Sequence, residues 1–291
     1  MTIRHLQIFI AVADCSNMSA AAKKLYISQP TVSQVISEME DVYGVKLFER
    51  LSKKLYITQA GNQLLGYAKS IVALFEEMQH SLSHASEHQT IKVGATITVG
   101  NCLLPGLVSR AEAKYPNMGV QVVTDNTQKI EKMILNSELD LAVVEGAIKS
   151  KDIIVKPAVE DQLILVCGID HPFWGKDSVS IEELSEQPFV LREEGSGTRE
   201  QFEKCLESKG VSVYPKWTCH GSDGILSAVA GGQGLTVISK LLADNMVAQN
   251  KLHIIRLKDA ELRRTFNLIY HKNKFLSKPM LNFIGEVMEG N

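Results

Sequence analysis

The stretch that decides the fold is SAAAKKLYISQPTVS, residues 19–33. Its first half has the small residues and spacing of a short helix, and Ile27-Ser28-Gln29-Pro30 interrupts that helix. Ser28 is a favourable N-cap, and Pro30 is tolerated in a first helical turn, where its missing N–H costs nothing. The stretch therefore predicts two short helices joined by a tight turn, which is the core of a helix-turn-helix.

The flanking residues extend this unit on both sides. Before it, apolar residues from Leu6 to Ala13 fall at helical spacing, and after it a third helix carries apolar residues from Val32 to Met39 and ends at Gly44. Two short apolar runs, 45–48 and 55–57, then enclose a basic tip. We expect a two-stranded wing there. Residues 1–58 are thus predicted to form a winged helix-turn-helix domain.

The side chains of this domain suit contact with double-stranded DNA. Ser, Thr and Gln in the first turn of the third helix can hydrogen-bond base edges or phosphates, and basic residues at the wing can bind phosphates. Each polar residue taken singly would also suit a solvated helix surface, but their order and spacing together favour DNA. The predicted DNA-binding residues are Ser28, Gln29, Pro30, Thr31, Ser33, Gln34, Arg50, Lys53 and Lys54.

A long helix is predicted over residues 59–88. Its apolar residues recur in steps of four and three, which is a heptad seam typical of a coiled coil. The alternative is an amphipathic helix packed on its own domain. We expect this helix to pair two chains through Leu64, Ala68, Ile71, Phe75, Met78, Leu82 and Ala85.

From residue 89 onward, apolar strands alternate with helices, which predicts an α/β domain with mostly parallel sheets. About 200 residues suffice for two lobes of this kind. Crossings between the lobes are expected near 161–162 and 265–266. The domain, residues 89–291, then divides into lobe I (89–161 and 266–291) and lobe II (162–265).

Composition limits the classes of protein that fit. The chain has 291 residues and a net charge of −2, which argues against indiscriminate binding to nucleic acid. Residues 1–60 nevertheless carry seven basic and five acidic side chains, so the first domain is mildly basic and the rest mildly acidic. No apolar run reaches the roughly 18 residues of a membrane span, and the first residues lack signal-peptide features. Five scattered cysteines suit reduced thiols, so we expect a cytoplasmic protein.

No catalytic constellation is recognisable in the sequence. His80, His84 and His88 are four residues apart on the long helix and share one face. That spacing can hold a metal, but solvated outer positions are the simpler interpretation. We predict no enzyme, no metal site and no cofactor. Two rival classes remain, an enzyme built on the two-lobed domain and a binding protein whose first domain contacts only other proteins.

A set of short motifs in the first domain matches a known family pattern: Leu6 to Phe9, Ser19 to Leu25, Ser28 to Ser33, Met39-Glu40, Gly44, Leu47 to Arg50 and Thr58 to Gly61. With these motifs, the sequence resembles the LysR-type transcriptional regulators over its full length. This resemblance implies a dimeric or tetrameric DNA-binding protein whose second half senses a small molecule, with RNA polymerase as a further candidate partner. Two residues depart from the family pattern: Gln34 stands where members often carry Arg or Lys, and Tyr43 stands where Leu usually precedes the glycine.

The resemblance also implies an effector cleft in a two-lobed, periplasmic-binding-protein-like domain. Two segments, 94–98 and 195–200, each open a helix, and helix N-termini with small residues suit an anion. Ordinary capping, with Thr198 and Gln201 as a capping box, is the alternative, and Glu145 equally suits a surface turn. We expect a small anionic metabolite to bind Thr96, Thr98, Glu145, Ser196, Gly197, Thr198, Arg199 and Ser222. Short Gly/Ser blocks further resemble the branch with regulators of cysteine synthesis and carbon fixation.

Overall fold

The computed structural model describes residues 1–51, 54–83 and 89–289. The chain divides into two compact units: the first consists of residues 1–87 with 135–137, and the second of residues 88–134 with 138–291. The first unit is mostly helical, and the second has α/β architecture. The predicted fold class is therefore confirmed.

The N-terminal unit begins with three helices: α1 (Ile3–Cys15), α2 (Met18–Lys24) and α3 (Gln29–Tyr43). Side-chain oxygens cap all three of them: Thr2 accepts the His5 N–H, Asn17 accepts the N–H groups of Ser19 and Ala20, and Ser28 accepts that of Thr31. Gly44 ends α3 with φ +63°, a conformation that glycine adopts without strain. The start and end predicted for the third helix are both confirmed.

The wing consists of two antiparallel strands, β1 (Phe48–Leu51) and β2 (Lys54–Ile57). The prediction placed the first strand at 45–48, so it began three residues too early. Leu47 cannot join the strand pair because its backbone is already bonded elsewhere. Its N–H donates to the Glu40 carboxylate and its carbonyl accepts the Thr58 N–H.

Helix α4 (Gln59–Ser83) follows, and its apolar residues divide into two groups. Leu64, Leu65, Ala68 and Val72 pack against the apolar core of the N-terminal unit. Ile71 and Leu74 are exposed instead, at 44% and 48%. The single predicted seam is therefore wrong for Leu64 and Ala68, which face their own domain. The side chain of Leu82, and all of Ala85, lie outside the described residues.

The C-terminal unit contains ten strands and seven α-helices within its described residues. The strands are β3 (Gln89–Thr96), β4 (Met118–Asp125), β5 (Leu141–Val144), β6 (Ile153–Gly168), β7 (Ser178–Val179), β8 (Phe189–Arg192), β9 (Pro215–Cys219), β10 (Thr236–Ser239), β11 (Leu252–Leu257) and β12 (Arg263–His271). The helices are α5 (Ile97–Cys102), α6 (Leu104–Lys114), α7 (Thr127–Leu135), α8 (Gly197–Glu207), α9 (Ser222–Ala230), α10 (Lys240–Ala248) and α11 (Lys278–Glu289).

The long strand β6 joins the two halves of this unit. Its first part pairs with β12, and from Leu163 onward it pairs with β10 and β11. On the side where β6 pairs with β12, the sheet extends from β12 to β5, then to β3 and finally to β4. Separate apolar cores lie on the two sides, one around Phe266 and Phe283 and others around Phe189 and Val229.

Several elements differ from the sequence prediction. The helix expected to run to Tyr115 is two helices, because Pro105 lies in the first turn of α6 and the chain breaks at Leu103. The first half of β6 was missed because Pro157 and charged residues obscure its apolar pattern. Opposite Pro157 the pairing register shifts between Phe266 and Asn267. β9, α10, β11 and α11 were also not predicted.

Candidate nucleic-acid interface and ligand cleft

The N-terminal end of α3 presents a polar surface above a buried apolar face. Val32, Ile36 and Met39 are buried in the core and fix the orientation of the helix. The hydroxyls of Ser28 and Thr31 lie 2.7 Å apart and hydrogen-bond, and the Gln34 amide donates to Glu38. The predicted set at this end is exposed or half-buried: Ser28, Gln29, Pro30, Thr31, Ser33 and Gln34.

The basic residues of the wing are only partly described. Arg50 lies on β1 with an exposed side chain, and its guanidinium is 3.8 Å from the sulfur of Met18. Lys53 lies outside the described residues, and so does the side chain of Lys54, whose backbone begins β2. The first turn of α3 carries no acidic residue, so the positive end of its dipole is not neutralised there.

Glu40 connects the polar helix to the wing. Its carboxylate is buried and accepts the Leu47 and Phe48 N–H groups and the Lys46 ammonium, the last at 2.6 Å. Burial acts to raise the pKa of Glu40, but the hydrogen bonds from Lys46 and the two amides outweigh it. The pKa is therefore lowered from its usual 4.5. An ionised Glu40 thus holds the start of the wing against α3.

In the C-terminal unit, three predicted residues meet where β3 and β5 end. Glu145 is 1% exposed, and its two carboxylate oxygens accept hydrogen bonds from the hydroxyls of Thr96 and Thr98. The Glu145 N–H also donates to Thr96. The alternative of an exposed turn at Glu145 is wrong, because the carboxylate is enclosed.

A buried arginine that the sequence analysis missed completes this cluster. Arg264, on β12, donates to Asp161 at 2.6 Å, to the Thr198 hydroxyl at 2.8 Å and to the Thr98 hydroxyl at 3.3 Å. It also lies 3.8 Å from Glu145. Arg264 and Asp161 face each other on β12 and β6, where β6 changes its partner strand. One guanidinium therefore contacts groups from both lobes.

A signal for Arg264 was present in the sequence. Phe266, Leu268 and Tyr270 are buried at alternate positions of β12, and Arg264 occupies the same phase. A charged residue in the buried phase of a strand needs a partner. The partner, Asp161, could not be identified because that half of β6 was not recognised as a strand.

The N-terminus of α8 contributes Ser196, Gly197 and Thr198. Ser196 is the N-cap by position, but its hydroxyl does not cap the helix. That hydroxyl is buried and has no hydrogen-bond partner among the described residues. Thr198 accepts from Arg264, and Gln201 donates to the Arg263 carbonyl. The capping-box alternative for Thr198 and Gln201 is therefore wrong.

The two lobes contact each other around these groups. The Gly197 N–H donates to the Thr127 hydroxyl at 3.2 Å, and the Gln128 N–H donates to the Gly195 carbonyl. On α9, the buried Ser222 hydroxyl accepts from the Asn101 amide at 3.1 Å. A side chain at Gly197 would collide with the backbone of Glu145 and Gly146, so this close approach requires glycine.

Arg199 is the predicted site residue that the structure does not bring to the cluster. Its guanidinium donates to Glu203 at 2.7 Å and to the Arg192 carbonyl at 3.3 Å. Its charge is thus already matched within α8. The expectation that Arg199 binds an anion is not supported by this placement, and Arg264 is the cation at the cluster.

A cavity of about 390 Å³ adjoins the cluster at the crossing strands. Six residues of β6 and β12 line it: Glu160, Asp161, Gln162, Arg263, Arg264 and Thr265. Asp161 and Arg264 belong both to this lining and to the buried cluster. The cavity therefore leads to the charged groups of the cleft.

The described part of the chain holds no group of three or more His, Cys, Asp or Glu residues placed to bind a metal. The side chain of His80, and all of His84 and His88, lie outside it. The five cysteines are free thiols, and burial raises the pKa of Cys167 to about 11. Over the same described residues, no helix is long and apolar enough to cross a membrane.

Known proteins resemble the chain over most of its length. HTH-type transcriptional regulator CysL of Bacillus subtilis is 30% identical over 268 residues, covering 91% of this chain and 89% of CysL. A probable RuBisCO transcriptional regulator of Synechocystis is 29% identical over 295 residues, covering 99% of this chain and 86% of that protein. The names are those of regulators rather than enzymes.

Two solved structures share the fold. The CcmR regulatory domain of Synechocystis in complex with 2-PG has a TM-score of 0.65 and 25% identity, covering 69% of this chain and 97% of that domain. Full-length CbnR complexed with its target DNA has a TM-score of 0.65 and 20% identity, and each chain is covered completely.

Two family models match consecutive parts of the sequence. Residues 3–62 match the bacterial regulatory helix-turn-helix protein of the lysR family, and residues 84–291 match the LysR substrate binding domain. The second match spans more than half of the chain. Together with the CysL and RuBisCO relatives, these matches confirm the predicted family and branch. The chain belongs to the LysR family of transcriptional regulators.

Proposed function

We propose that this regulator recognises a specific DNA sequence through the first turn of α3 and responds to a small metabolite bound between the lobes of its C-terminal unit. The observation that supports the first part most directly is the exposed polar end of α3, anchored by a buried apolar face. The observation that supports the second is the enclosed cluster of Glu145, Asp161 and Arg264 with the unpaired Ser196 hydroxyl.

In this proposal α3 enters the major groove with its N-terminal residues at the base edges. Thr31 hydrogen-bonds Ser28, so its hydroxyl is held in place while its methyl group is free to meet a thymine methyl. Arg50 and Lys53 bind phosphates, which adds affinity without sequence preference. CbnR, which has the same fold, has been solved in complex with its target DNA, and this supports DNA binding here.

Substitutions at Thr31 and Arg50 test the two roles. Thr31→Ala should change sequence preference, measured as the ratio of affinities for the fragment upstream of the protein's own gene and for a mixed-sequence duplex. Arg50→Ala should weaken binding to both duplexes. It should also make the fall of log K with log salt concentration less steep, by about 1 for each DNA-binding domain. Equal effects of the two substitutions on both duplexes would contradict the assignment. Lys53→Ala is expected to behave like Arg50→Ala.

The charges in the cleft refine the chemistry of the effector. Two buried carboxyl groups, those of Glu145 and Asp161, face one guanidinium, so acidic groups outnumber basic groups in the cluster. An anionic group is therefore better placed at the Ser196 hydroxyl and the N-terminus of α8 than beside Glu145. We infer that the effector is a small acid that also carries a hydroxyl or ammonium donor for Glu145. The CcmR relative binds 2-PG.

A thermal-shift screen on the full chain tests this part. Small acids with a donor group, simple anions such as sulfate, and neutral sugars form its three arms. A ligand at about 100 times its Kd stabilises the folded state by about 2.7 kcal/mol, so moderate binders are detectable. We expect stabilisation by a member of the first arm, and loss of that stabilisation in Ser196→Ala. Stabilisation by neutral compounds alone would contradict the proposed class.

Assembly and location complete the proposal. We propose a homodimer paired through the exposed apolar residues of α4, with a homotetramer as the further assembly. Pairing fixes the spacing of two DNA-binding units and therefore of two half-sites. Effector binding shifts the equilibrium between lobe arrangements and so changes DNA binding. RNA polymerase is the proposed protein partner, and the cytoplasm is the proposed location.

A further inference from the structure

Tyr26 is an exposed residue. It is not among the predicted DNA-binding residues, and it does not pack in the apolar core of the N-terminal unit. It lies in the turn between α2 and α3 and is 95% exposed. Its φ is +56°, in the left-handed region that few residues other than glycine adopt without strain. An aromatic side chain is therefore held in a strained backbone position and contributes no packing to the core.

The hydrogen bonds identify the position as the end of a Schellman motif. The Tyr26 N–H donates to the Lys23 carbonyl at 3.2 Å, and the Ile27 N–H donates to the Ala22 carbonyl at 3.0 Å. In this motif the left-handed residue is usually glycine and sometimes asparagine. Folding would favour one of those residues at position 26. Strained residues of this kind are concentrated at functional sites.

The neighbours of Tyr26 indicate what its side chain would contact. Tyr26 is two residues before Ser28, the N-cap of α3, so the two Cα atoms are at most about 7 Å apart. Lys23 and Lys24 are exposed in the last turn of α2, directly before it. Lys24 lies 4.0 Å from the Asp14 carboxylate, so the two lysines and this acid leave a net positive charge directly before Tyr26, next to the polar end of α3. A polyanion suits this surface better than an apolar protein surface does.

We propose that Tyr26 donates its phenolic hydroxyl to a phosphate of the DNA backbone beside the groove in which α3 docks. Tyrosine is among the side chains that hydrogen-bond phosphates, and such contacts fix register without reading sequence. The inference rests on the proposed DNA binding and adds a positioning residue to it. The hydroxyl is neutral, so its contact releases no counterion of its own.

Tyr26→Phe in the full chain tests this contact, because it removes only one exposed hydroxyl. The probes are the fragment upstream of the protein's own gene and a mixed-sequence duplex. We expect the affinity for both probes to fall about fivefold for each DNA-binding domain, while the slope of log K against log salt concentration stays unchanged. Tyr214 lies in the other unit and is 82% exposed as a residue, so Tyr214→Phe also removes one exposed hydroxyl and should change nothing. Wild-type affinity of Tyr26→Phe for both probes would overturn the proposal.

A second variant separates DNA contact from folding. Tyr26→Asn should raise the midpoint of thermal unfolding, since asparagine tolerates the left-handed region, while lowering DNA affinity at least as much as Tyr26→Phe. A Tyr26→Asn protein that is stabilised but binds DNA with unchanged affinity would overturn the proposed contact. A destabilised Tyr26→Asn protein that binds DNA normally would overturn it as well. If the wild-type chain binds neither probe, the proposed DNA binding itself fails, which is distinguishable from failure at Tyr26.

Discussion

Ser196 illustrates how one buried group can separate stability from ligand binding. Ser196 is 1% exposed, and its buried hydroxyl is unpaired within the described ranges, so it costs desolvation without a compensating hydrogen bond. Ser222 is equally buried, but its hydroxyl accepts from Asn101. The two serines therefore differ in what their hydroxyls contribute to the folded state.

Replacing each serine with alanine should give opposite results. Ser196→Ala should leave the free energy of unfolding unchanged or slightly raised, and should weaken effector stabilisation. Ser222→Ala should lose about 1 kcal/mol, because it leaves the Asn101 amide without its partner. Chemical denaturation with and without effector measures both quantities. A large loss of stability in Ser196→Ala would contradict the unpaired state of its hydroxyl.

At the scale of elements, Glu40 joins α3 to the start of the wing. The pKa of Glu40 is lowered in the folded state. The stability that Glu40 contributes is therefore present above the usual carboxyl pKa, and it is lost as pH falls from that value through the lowered folded pKa. Glu40→Gln should cost about 1–3 kcal/mol near neutral pH. The difference between wild type and variant should shrink in acid. Urea denaturation at several pH values tests this, and a difference that grows as pH falls would contradict it.

The crossing strands depend on Arg264 in a comparable way. Arg264→Gln leaves Asp161 and Glu145 buried without a cation and should cost about 3–5 kcal/mol. Adding Asp161→Asn removes one of those charges and should recover part of the loss. Comparison of the single and double variants gives the coupling between the two residues. An additive result would show that the residues do not interact energetically.

Local signals account for the part of the fold that the sequence predicts well. Ser28, Pro30 and Gly44 fix the ends of α3 through capping and φ preference, which depend only on near neighbours. The hydroxyl residues Thr96, Thr98 and Ser196 at the starts of two helices were also predicted from local sequence alone. Arg264 and Asp161 were missed because they are 103 positions apart and meet only through the pairing of β6 with β12.

At the scale of the whole molecule, the exposed apolar residues of α4 carry the proposed dimer. Ile71 and Leu74 are nearly half exposed in the single chain. Ile71→Glu should therefore leave the fold intact and convert a dimer to a monomer. Asn62→Glu adds the same charge nine residues away, on roughly the opposite face of the helix, and should leave the assembly unchanged. Light scattering after size exclusion measures the mass, and a dimeric Ile71→Glu variant would contradict this pairing.

The charge of the molecule bears on how it binds DNA. Residues 1–60 are only mildly basic, so one DNA-binding domain is expected to bind weakly. Two units held at a fixed spacing gain affinity because the second binds at a high effective concentration. The proposed dimer and the proposed sequence preference are therefore linked.

The central claim is tested most directly by a gel-shift titration of the full chain against the fragment upstream of its own gene, with mixed-sequence duplex as competitor. We expect a retarded band at low salt that survives an excess of competitor, and a weaker band for Ile71→Glu. The absence of a retarded band at low salt, or a band that the competitor removes at equal concentration, would contradict sequence-specific binding by this protein.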